Sequence, residues 1–183
     1  MKATGIVRRI DDLGRVVIPK EIRRTLRIKE GDPLEIYTDR DGEVIFKKYS
    51  PIAEMQDFAG EYAAALQKST GVTIFVCDKD AIICVSGASK KEFLEKKVSK
   101  GLEHIMDSRT IYAPMEVGDK TEVIDNGGYH IGCAMPIISD GDVIGCIWTA
   151  YPSGSGRSAK ISSETEQKLI YTAGLFLGKQ VEN

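Results

Sequence analysis

The sequence predicts an α+β fold divided into two parts, and three patterns support this expectation. Residues 1–50 contain short apolar strands, separated by turn-forming residues, and one short helical segment. Residues 71–183 alternate strands with helices, in the order two strands, helix, several strands, helix. Charge is also unevenly distributed, because residues 1–29 carry nine Lys and Arg against three acidic residues while the whole chain has a net charge of −2. A basic N-terminal part joined to an acidic body indicates an anionic partner for the basic part, although a solvated basic face would give the same pattern.

The N-terminal part is predicted to contain four short strands and one helical turn. "TGIVRRID" and "RVVIP" are the first two strands; the first is followed by the turn formers Asp11, Asp12 and Gly14, and the second ends at Pro19. "GDPLEIYTDRDGEVIFKKY" predicts a hairpin with Asp41 and Gly42 at its tip. Elements this short cannot bury a large core, so a partner subunit is expected to complete it.

The helical turn between these pairs of strands is strongly basic. In "KEIRRTLRI", Ile22 and Leu26 lie four residues apart and define one apolar face. Arg23, Arg24 and Arg27 then point away from that face, into solvent or onto a ligand. The planar guanidinium group suits both phosphate oxygens and the guanine edge, so the pattern is compatible with DNA binding.

Composition and cysteine spacing exclude several classes of protein. Hydrophobic residues make up 42% of the chain and charged residues 28%, as in ordinary folded domains. No apolar run reaches the roughly 20 residues of a transmembrane helix, and the N-terminus lacks a signal-peptide core, so a cytoplasmic protein without a membrane partner is expected. The cysteines form no CxxC pair and lie in apolar segments, which favours buried reduced thiols over a metal site. They are Cys77, Cys84, Cys133 and Cys146.

The two histidines and the glycine-rich segments give no catalytic or metal motif. His104 and His130 lie far apart, without neighbouring carboxylate or cysteine ligands at metal-binding spacing. No phosphate-binding GxxxxGK[ST] pattern is present. The sequence therefore predicts no catalytic residue and no metal ligand.

The body begins with a predicted helix over residues 51–70. Ser50 and Pro51 form a favourable helix start, and an apolar stripe from Met55 to Leu66 could pack in the body or form a seam between subunits. "KKEFLEKKVSKGLEHIMDSR" is predicted to form one further helix, and "YHIGCAMPIIS" and "VIGCIWTAY" an apolar hairpin. Ser162 and Ser163 are possible caps of the last helix, and Glu166 stands at capping-box spacing from Ser163.

The first fifty residues resemble the DNA-binding domain of the AbrB family of bacterial transition-state regulators. The motifs "TGIVR", "D-LGR-VIP-E-RR-L-I" and "GD-LEI" carry this resemblance. It implies a swapped-hairpin β-barrel, in which two chains interleave their strands, and binding to double-stranded DNA. It also implies a structural role for Asp11, which would hold its loop through backbone amides. The arginines that match the family's DNA contacts are Arg8, Arg15, Arg23 and Arg24, and Arg9, also predicted to bind DNA, stands where a basic residue is usual.

The body resembles GAF domains, which are small-molecule sensing modules. The motif "CAMPIISDGDVIGCI" carries this resemblance, which implies domains at 1–50 and 71–183 joined by a linker helix over 51–70. An AbrB-type head on a GAF-like body resembles a family of sporulation regulators that activate and repress late, forespore-stage genes. This implies a nucleoid-associated homotetramer, with dimers formed by the heads and closed by the bodies. An unidentified effector of the body is the only ligand expected.

Other interpretations of the same residues remain open. The swapped-hairpin fold also serves antitoxins that bind both DNA and a toxin, and a few GAF-fold proteins are thiol enzymes that would use one of the cysteines. Trp148 and Tyr151 could line a pocket or pack in the core. A regulator without enzymatic activity is nevertheless the favoured hypothesis.

Overall fold

A computed structural model describes residues 4–114, 121–125, 127–155 and 161–182 and divides the chain into two units, residues 1–49 and 50–183. In the first unit, β1 (Leu34–Thr38) and β2 (Val44–Lys48) form an antiparallel hairpin. The carboxylate of Asp39 closes its loop, since Oδ1 accepts hydrogen bonds from the N–H groups of Asp41 and Glu43, both at 3.0 Å. The hairpin predicted from the Asp41–Gly42 tip is therefore confirmed. A single short helix, α1 (Lys20–Thr25), precedes it.

The strands predicted at "TGIVRRID" and "RVVIP" are not formed within the single chain. Residues 4–10 and 15–19 make no ladder, and the apolar side chains of Val7, Ile10 and Val17 are 85%, 69% and 69% exposed. Over residues 4–49, only Pro19 is buried. A strand needs an opposite edge for its backbone groups, and one chain of this unit supplies only the β1–β2 pair. The expected shortage of core is thus observed, and the first two predicted strands would find their partners only in a second chain, as the swapped-hairpin prediction requires.

The second unit contains a four-stranded antiparallel sheet in the order β4-β3-β6-β5. Its strands are β3 (Thr73–Cys77), β4 (Ile82–Ser86), β5 (Tyr129–Ser139) and β6 (Asp142–Pro152). The two long strands, β5 and β6, form the predicted apolar hairpin. Its turn is Asp140–Gly141, whose φ values of +48° and +81° are typical of a two-residue hairpin turn and explain the glycine.

Helices cover both faces of this sheet, so both faces of its strands are apolar. Along β3, Ile74 and Val76 pack in one cluster with residues of α3 (Gln56–Thr70) and α6 (Ser163–Val181). Phe75 and Cys77 point the other way, into a second cluster with α5 (Lys100–Ser108). The alternation follows from the two-residue period of a strand. The short helices α2 (Pro51–Glu54) and α4 (Lys90–Phe93) complete the two layers.

Two of the predicted helices are interrupted. The segment 51–70 divides at Met55 into α2 and α3, and α3 buries Ala59, Ala63 and Leu66 against the body. This helix is therefore part of the core of the second unit. The predicted helix over 90–109 divides into α4 and α5, because residues 94–98 instead run along the edge of β4.

The interruption after α4 has a local cause. The helix ends because Leu94 adopts an extended conformation, with φ −57° and ψ +139°. Glu95 follows with a φ of +62°, and its N–H donates to the carbonyl of Ile82 at 2.9 Å. Ile82 in turn donates to the carbonyl of Lys96 at 3.0 Å. The segment thus satisfies backbone groups that the edge strand would otherwise expose. The prediction of one continuous helix here is wrong.

The last helix begins at the first of the two serines predicted as possible caps. Ser162 is the N-cap of α6, and its side chain accepts from the N–H of Thr165 at 3.1 Å. Ser163 therefore lies inside the helix, one residue after the N-cap, and the side chain of Glu166 is buried and accepts a hydrogen bond from Tyr151 at 3.0 Å. Among the helices that the structure describes, none combines the length and apolar character needed to cross a membrane.

Candidate nucleic-acid interface

The loop over residues 11–15, here called the Asp11 loop, is closed by hydrogen bonds to one aspartate. Oδ1 of Asp11 accepts from the N–H groups of Leu13 at 3.1 Å and Arg15 at 2.7 Å. The backbone of Asp11 adds two bonds at 3.0 Å: its N–H donates to the carbonyl of Arg15, and its carbonyl accepts from Gly14. Gly14 has a φ of +76°, a conformation that glycine adopts without strain. The backbone-holding role expected of Asp11 is observed.

The second oxygen of the Asp11 carboxylate binds the side chain of Arg15, one of the arginines predicted to contact DNA. Oδ2 accepts from Nε of Arg15 at 2.9 Å, and the Arg15 side chain remains about two-thirds exposed. The N–H of Arg15 lowers the pKa of Asp11 below its usual value, with further contributions from the Arg15 guanidinium and the N–H of Leu13. Asp11 is therefore ionised at neutral pH and anchors both the backbone and the side chain of Arg15.

The helix α1 presents the next two arginines to solvent. Pro19 precedes the helix with a φ of −58°, which suits a helix start, and Arg23 and Arg24 lie in its last turn. No residue of α1 is buried. Arg27 ends the helical path with a φ of +52°, and the N–H of Ile28 returns to the carbonyl of Arg23 at 2.8 Å.

The five predicted DNA contacts are all exposed, but they lie in three different local settings. Arg8 and Arg9 are in the extended segment over residues 4–10, Arg15 ends the Asp11 loop, and Arg23 and Arg24 are on α1. The contact between Asp11 and Arg15 was not predicted from the sequence. An aspartate four residues before an arginine, across a turn containing glycine, was the signal that could have indicated it.

In the second unit, the aromatic residues considered as pocket lining form a packed cluster instead. Trp148 is fully buried and stacks on Phe75, with ring centroids 5.5 Å apart and an interplanar angle of 5°. Phe93 meets Phe75 edge-on at 5.1 Å. The indole N–H of Trp148 has no hydrogen-bond partner among the residues that the structure describes. Tyr151 is also buried, where its hydroxyl donates to Glu166. Both residues therefore serve core packing.

The cysteines are placed as the sequence predicted, since all four are buried and none takes part in a disulfide. Burial raises the pKa of Cys84 to about 11 and raises the pKa values of Cys77 and Cys146 as well. A neutral thiol is a poor nucleophile and a poor metal ligand, so these three positions are unsuited to thiol chemistry at neutral pH.

The histidines are also separated in the fold. His104 is exposed on α5, whereas His130 lies in β5. Within the described part of the chain, no group of three or more His, Cys, Asp and Glu side chains is placed to hold a metal ion.

Comparison with protein families assigns the two units separately. Residues 54–182 match the family model described as stage V sporulation protein T C-terminal, transcription factor. Residues 7–54 match the model described as antidote-toxin recognition MazE, bacterial antitoxin.

Known proteins are similar to this chain over its whole length or over one unit. Stage V sporulation protein T of Bacillus subtilis (strain 168) is 52% identical, over 100% of this chain and 99% of its own. Transition state regulatory protein AbrB of the same organism is 67% identical over 51 residues, which are 28% of this chain and 52% of AbrB. The GAF domain of A. aeolicus nlh2 shares the fold, with a TM-score of 0.51 and 19% identity over 68% of this chain and 82% of that domain.

These matches agree with the division of the chain into two units. An AbrB-like stretch coincides with the unit that carries the exposed arginines, and a GAF-like fold coincides with the four-stranded sheet. The fold is α+β in both descriptions, as predicted. With one family model covering residues 54–182 and 52% identity to its namesake along the entire chain, the protein belongs to the stage V sporulation protein T family of transcription factors.

Proposed function

We propose that this transcription regulator binds double-stranded DNA with sequence preference through residues 1–50. The observation that carries the proposal is the exposure of all five predicted arginines within the AbrB-like unit, three of them on a hydrogen-bonded loop and a helix. Residues 51–70 connect this head to a GAF-like domain over 71–183. The DNA contacts in this proposal are Arg8, Arg9, Arg15, Arg23 and Arg24.

Arginine contacts of this kind make binding strongly dependent on salt. The four of these arginines that match the family pattern, which leaves out Arg9, give about eight contacts in two chains. This corresponds to a slope of about −7 in a plot of log affinity against log salt concentration. Contacts to phosphate set position and contribute affinity, whereas contacts to base edges set sequence preference. Because α1 is only six residues long, sequence preference also draws on the shape and flexibility of the DNA.

The head acts as a dimer in this proposal. Its apolar side chains at Val7, Ile10 and Leu13 are at least two-thirds exposed, and only Pro19 is buried over residues 4–49. A unit with so little buried apolar surface has no stable core by itself. A second copy that interleaves its strands with these segments would cover the apolar surface and supply the missing strand edges.

The bodies associate through a different surface, which closes a tetramer. Phe58 and Tyr62 of α3 pack on Phe176 of α6, with centroids 5.9 Å and 5.3 Å apart. Phe58 and Phe176 remain more than one-third exposed, and Leu175 beside them is 49% exposed. We define these four residues as the α3–α6 face. Large apolar side chains left this exposed on neighbouring helices favour association with another protein surface.

The physiological role in this proposal follows from the family. The protein activates some late, forespore-stage sporulation genes and represses others, in the cytoplasm and in association with the nucleoid. A small-molecule effector of the GAF-like domain, whose identity the chain does not specify, modulates DNA binding through the helix over 51–70.

Fluorescence anisotropy of the full-length protein tests DNA binding. The probe is a duplex selected by this protein from a random-sequence pool, compared with a scrambled duplex across a salt series. We expect Arg23→Ala/Arg24→Ala to weaken binding to the selected duplex at least about a hundredfold, because each contact is lost from both chains. Arg40→Ala is the control for loss of charge, since Arg40 is exposed in the same unit near the hairpin tip. Equal binding by the double variant and the Arg40 control would contradict the proposal.

An antitoxin function is the second candidate, and the MazE-type match over residues 7–54 favours it. In this case the chain would bind a small toxin as well as DNA. Capture of a stoichiometric toxin by the full-length protein, together with DNA binding indifferent to Arg23 and Arg24, would support this candidate over the first. The match of residues 54–182 to a transcription factor makes it the weaker of the two.

A further inference from the structure

We propose that Asp11 is a positioning residue that sets sequence preference by fixing the side chain of Arg15. It acts on DNA only through that arginine, and the inference rests on the proposed DNA-binding function. The observation behind it is that the two oxygens of one carboxylate bind different groups. Oδ1 accepts from the backbone of the loop, whereas Oδ2 accepts from the guanidinium group of Arg15.

The Asp11 loop provides a rigid base for this contact. Four hydrogen bonds join Asp11 to the backbone of residues 13–15, so the Cα positions of Asp11 and Arg15 are fixed relative to each other. An exposed ion pair usually contributes little, because two long side chains must be ordered to form it. Here the carboxylate is already held by the backbone, so only the arginine remains to be ordered.

The contact also selects which donors Arg15 can offer to DNA. Nε donates to Oδ2 of Asp11, so contacts with DNA fall to the two terminal nitrogens, Nη1 and Nη2. These carry parallel N–H groups in the fork geometry that binds O6 and N7 of guanine or two oxygens of one phosphate. Arg15 held in this way meets the DNA with the end of its guanidinium group already oriented, which favours one base geometry over others.

The direction in which DNA affinity changes when Asp11 is neutralised distinguishes this positioning role from simple repulsion of phosphate. A carboxylate near DNA repels phosphate, so its removal should strengthen binding to any duplex. If Asp11 positions Arg15, its removal should instead weaken binding to the preferred sequence. Asp11→Asn tests this directly, because the amide oxygen can still accept the two backbone N–H groups, whereas the amide nitrogen cannot accept from Arg15 Nε.

A matched control is available at the next residue. Asp12 is exposed and its neutralisation to Asn removes the same charge from the same loop, but Asp12 does not make the Oδ2 contact with Arg15. The experiment compares full-length Asp11→Asn, Asp12→Asn, Arg15→Ala and the double variant Asp11→Asn/Arg15→Ala. Each is titrated against the selected duplex and the scrambled duplex, and each thermal melt is recorded.

We expect Asp11→Asn to lower the ratio of selected to scrambled affinity by about tenfold, the scale of one lost base contact. Asp12→Asn should leave the ratio unchanged. Adding Asp11→Asn to Arg15→Ala should cause no further loss, because the positioned side chain is already absent. In NMR spectra of the free protein, the Arg15 Nε–H signal should be protected from exchange in the wild type and in Asp12→Asn but not in Asp11→Asn.

Two results would overturn the inference while leaving the proposed function intact. One is an Asp11→Asn variant that matches Asp12→Asn in the affinity ratio although Arg15→Ala weakens binding. The other is an additive loss in the double variant, which would mean that Asp11 acts through the loop as a whole. If Arg15→Ala and Arg23→Ala/Arg24→Ala both bind like the wild type, the DNA-binding function itself fails and the positioning role fails with it.

Discussion

At Glu166 the chain buries a carboxylate inside its second unit, and neighbouring hydroxyl groups explain how this is tolerated. The side chain is 1% exposed and accepts hydrogen bonds from the hydroxyl groups of Tyr151, at 3.0 Å, and Thr149. Both donors lie on β6, whereas Glu166 lies in the first turns of α6, where the helix dipole favours a negative charge. This polar contact therefore fixes the start of α6 on the sheet.

Removal of one hydrogen-bond donor to the Glu166 side chain should destabilise the protein. We predict that Tyr151→Phe lowers the free energy of unfolding by about 1–3 kcal/mol, because the buried carboxylate loses a hydrogen bond that no solvent replaces. Tyr171→Phe removes the same atom from a tyrosine of α6 that is 47% exposed, and should change stability little. Urea denaturation of both variants measures the difference. Equal stability of the two variants would show that the Glu166 contact does not contribute.

Individual side-chain partners were the least predictable feature of the sequence. The role of Asp11 in holding its loop follows from the chemistry of aspartate in a turn, and the structure shows it. The pairing of its second oxygen with Arg15 depends on the loop conformation. The spacing of Glu166 from Ser163 gave no sign of its contacts with Tyr151 and Thr149, because those residues are distant in sequence.

At the scale of elements, α6 lies close enough to β5 that two of its residues have no room for a side chain. A Cβ at Gly174 would collide with the side chain of Met135, and one at Gly178 would collide with the carbonyl oxygen of Ile138. The two glycines are four residues apart and so lie on one helix face. Their absence of side chains lets the helix backbone rest directly on the strand.

Replacement of Gly178 by alanine should therefore change stability in the direction opposite to the one that helix propensity predicts. Alanine normally stabilises a helix interior relative to glycine by about 0.5–1 kcal/mol. We predict that Gly178→Ala instead destabilises the protein by about 1–3 kcal/mol, since the backbone of β5 cannot move aside as a side chain could. Gly60→Ala in α3 is the control, because its Cβ would meet only Sγ of Cys84, at 3.7 Å, an ordinary contact.

Chemical denaturation of these two glycine variants should give effects of opposite sign. Gly60→Ala should raise the free energy of unfolding, and Gly178→Ala should lower it. A gain in stability at both positions would show that α6 shifts freely on the sheet.

Elements whose contacts are local were predicted well, whereas elements that depend on distant partners were not. Both hairpins were found, because turn residues such as Asp140 and Gly141 specify them within a short stretch. The segments over 4–10 and 15–19 have strand-like sequences but lack an edge to pair with in one chain. The prediction of one helix over 90–109 was wrong for a related reason. Residues 94–98 hydrogen-bond at the start of β4 instead of continuing the helix.

At the scale of the whole molecule, each unit exposes apolar surface that one chain cannot cover. In the first unit this surface includes Val7 and Ile10, and in the second it is the α3–α6 face. The two units are distinct, so in the proposed assembly each unit contributes its own surface for self-association. Two such surfaces on every chain are sufficient to close a tetramer of four heads and four bodies.

The α3–α6 face offers the sharper test, because a single charge can be placed on it without disturbing the core. We predict that Leu175→Glu converts the full-length tetramer into a dimer, as measured by light scattering at micromolar concentration. Leu175 is 49% exposed in one chain, so glutamate is tolerated in the monomeric fold, but burial of an unpaired carboxylate in an apolar contact costs several kcal/mol. In a symmetric contact the substitution occurs twice, and each ~1.4 kcal/mol weakens association about tenfold.

The matched control is Ala64→Glu, which adds the same charge to an exposed position of α3. Ala64 follows Tyr62 by two residues, about 200° around the helix, and so lies away from the α3–α6 face. The control should therefore remain a tetramer. A wild-type mass of two chains would contradict the tetramer, whereas a four-chain mass for Leu175→Glu would place the contact between the bodies on another surface. If both variants dissociate equally, added negative charge rather than the α3–α6 face would account for the effect.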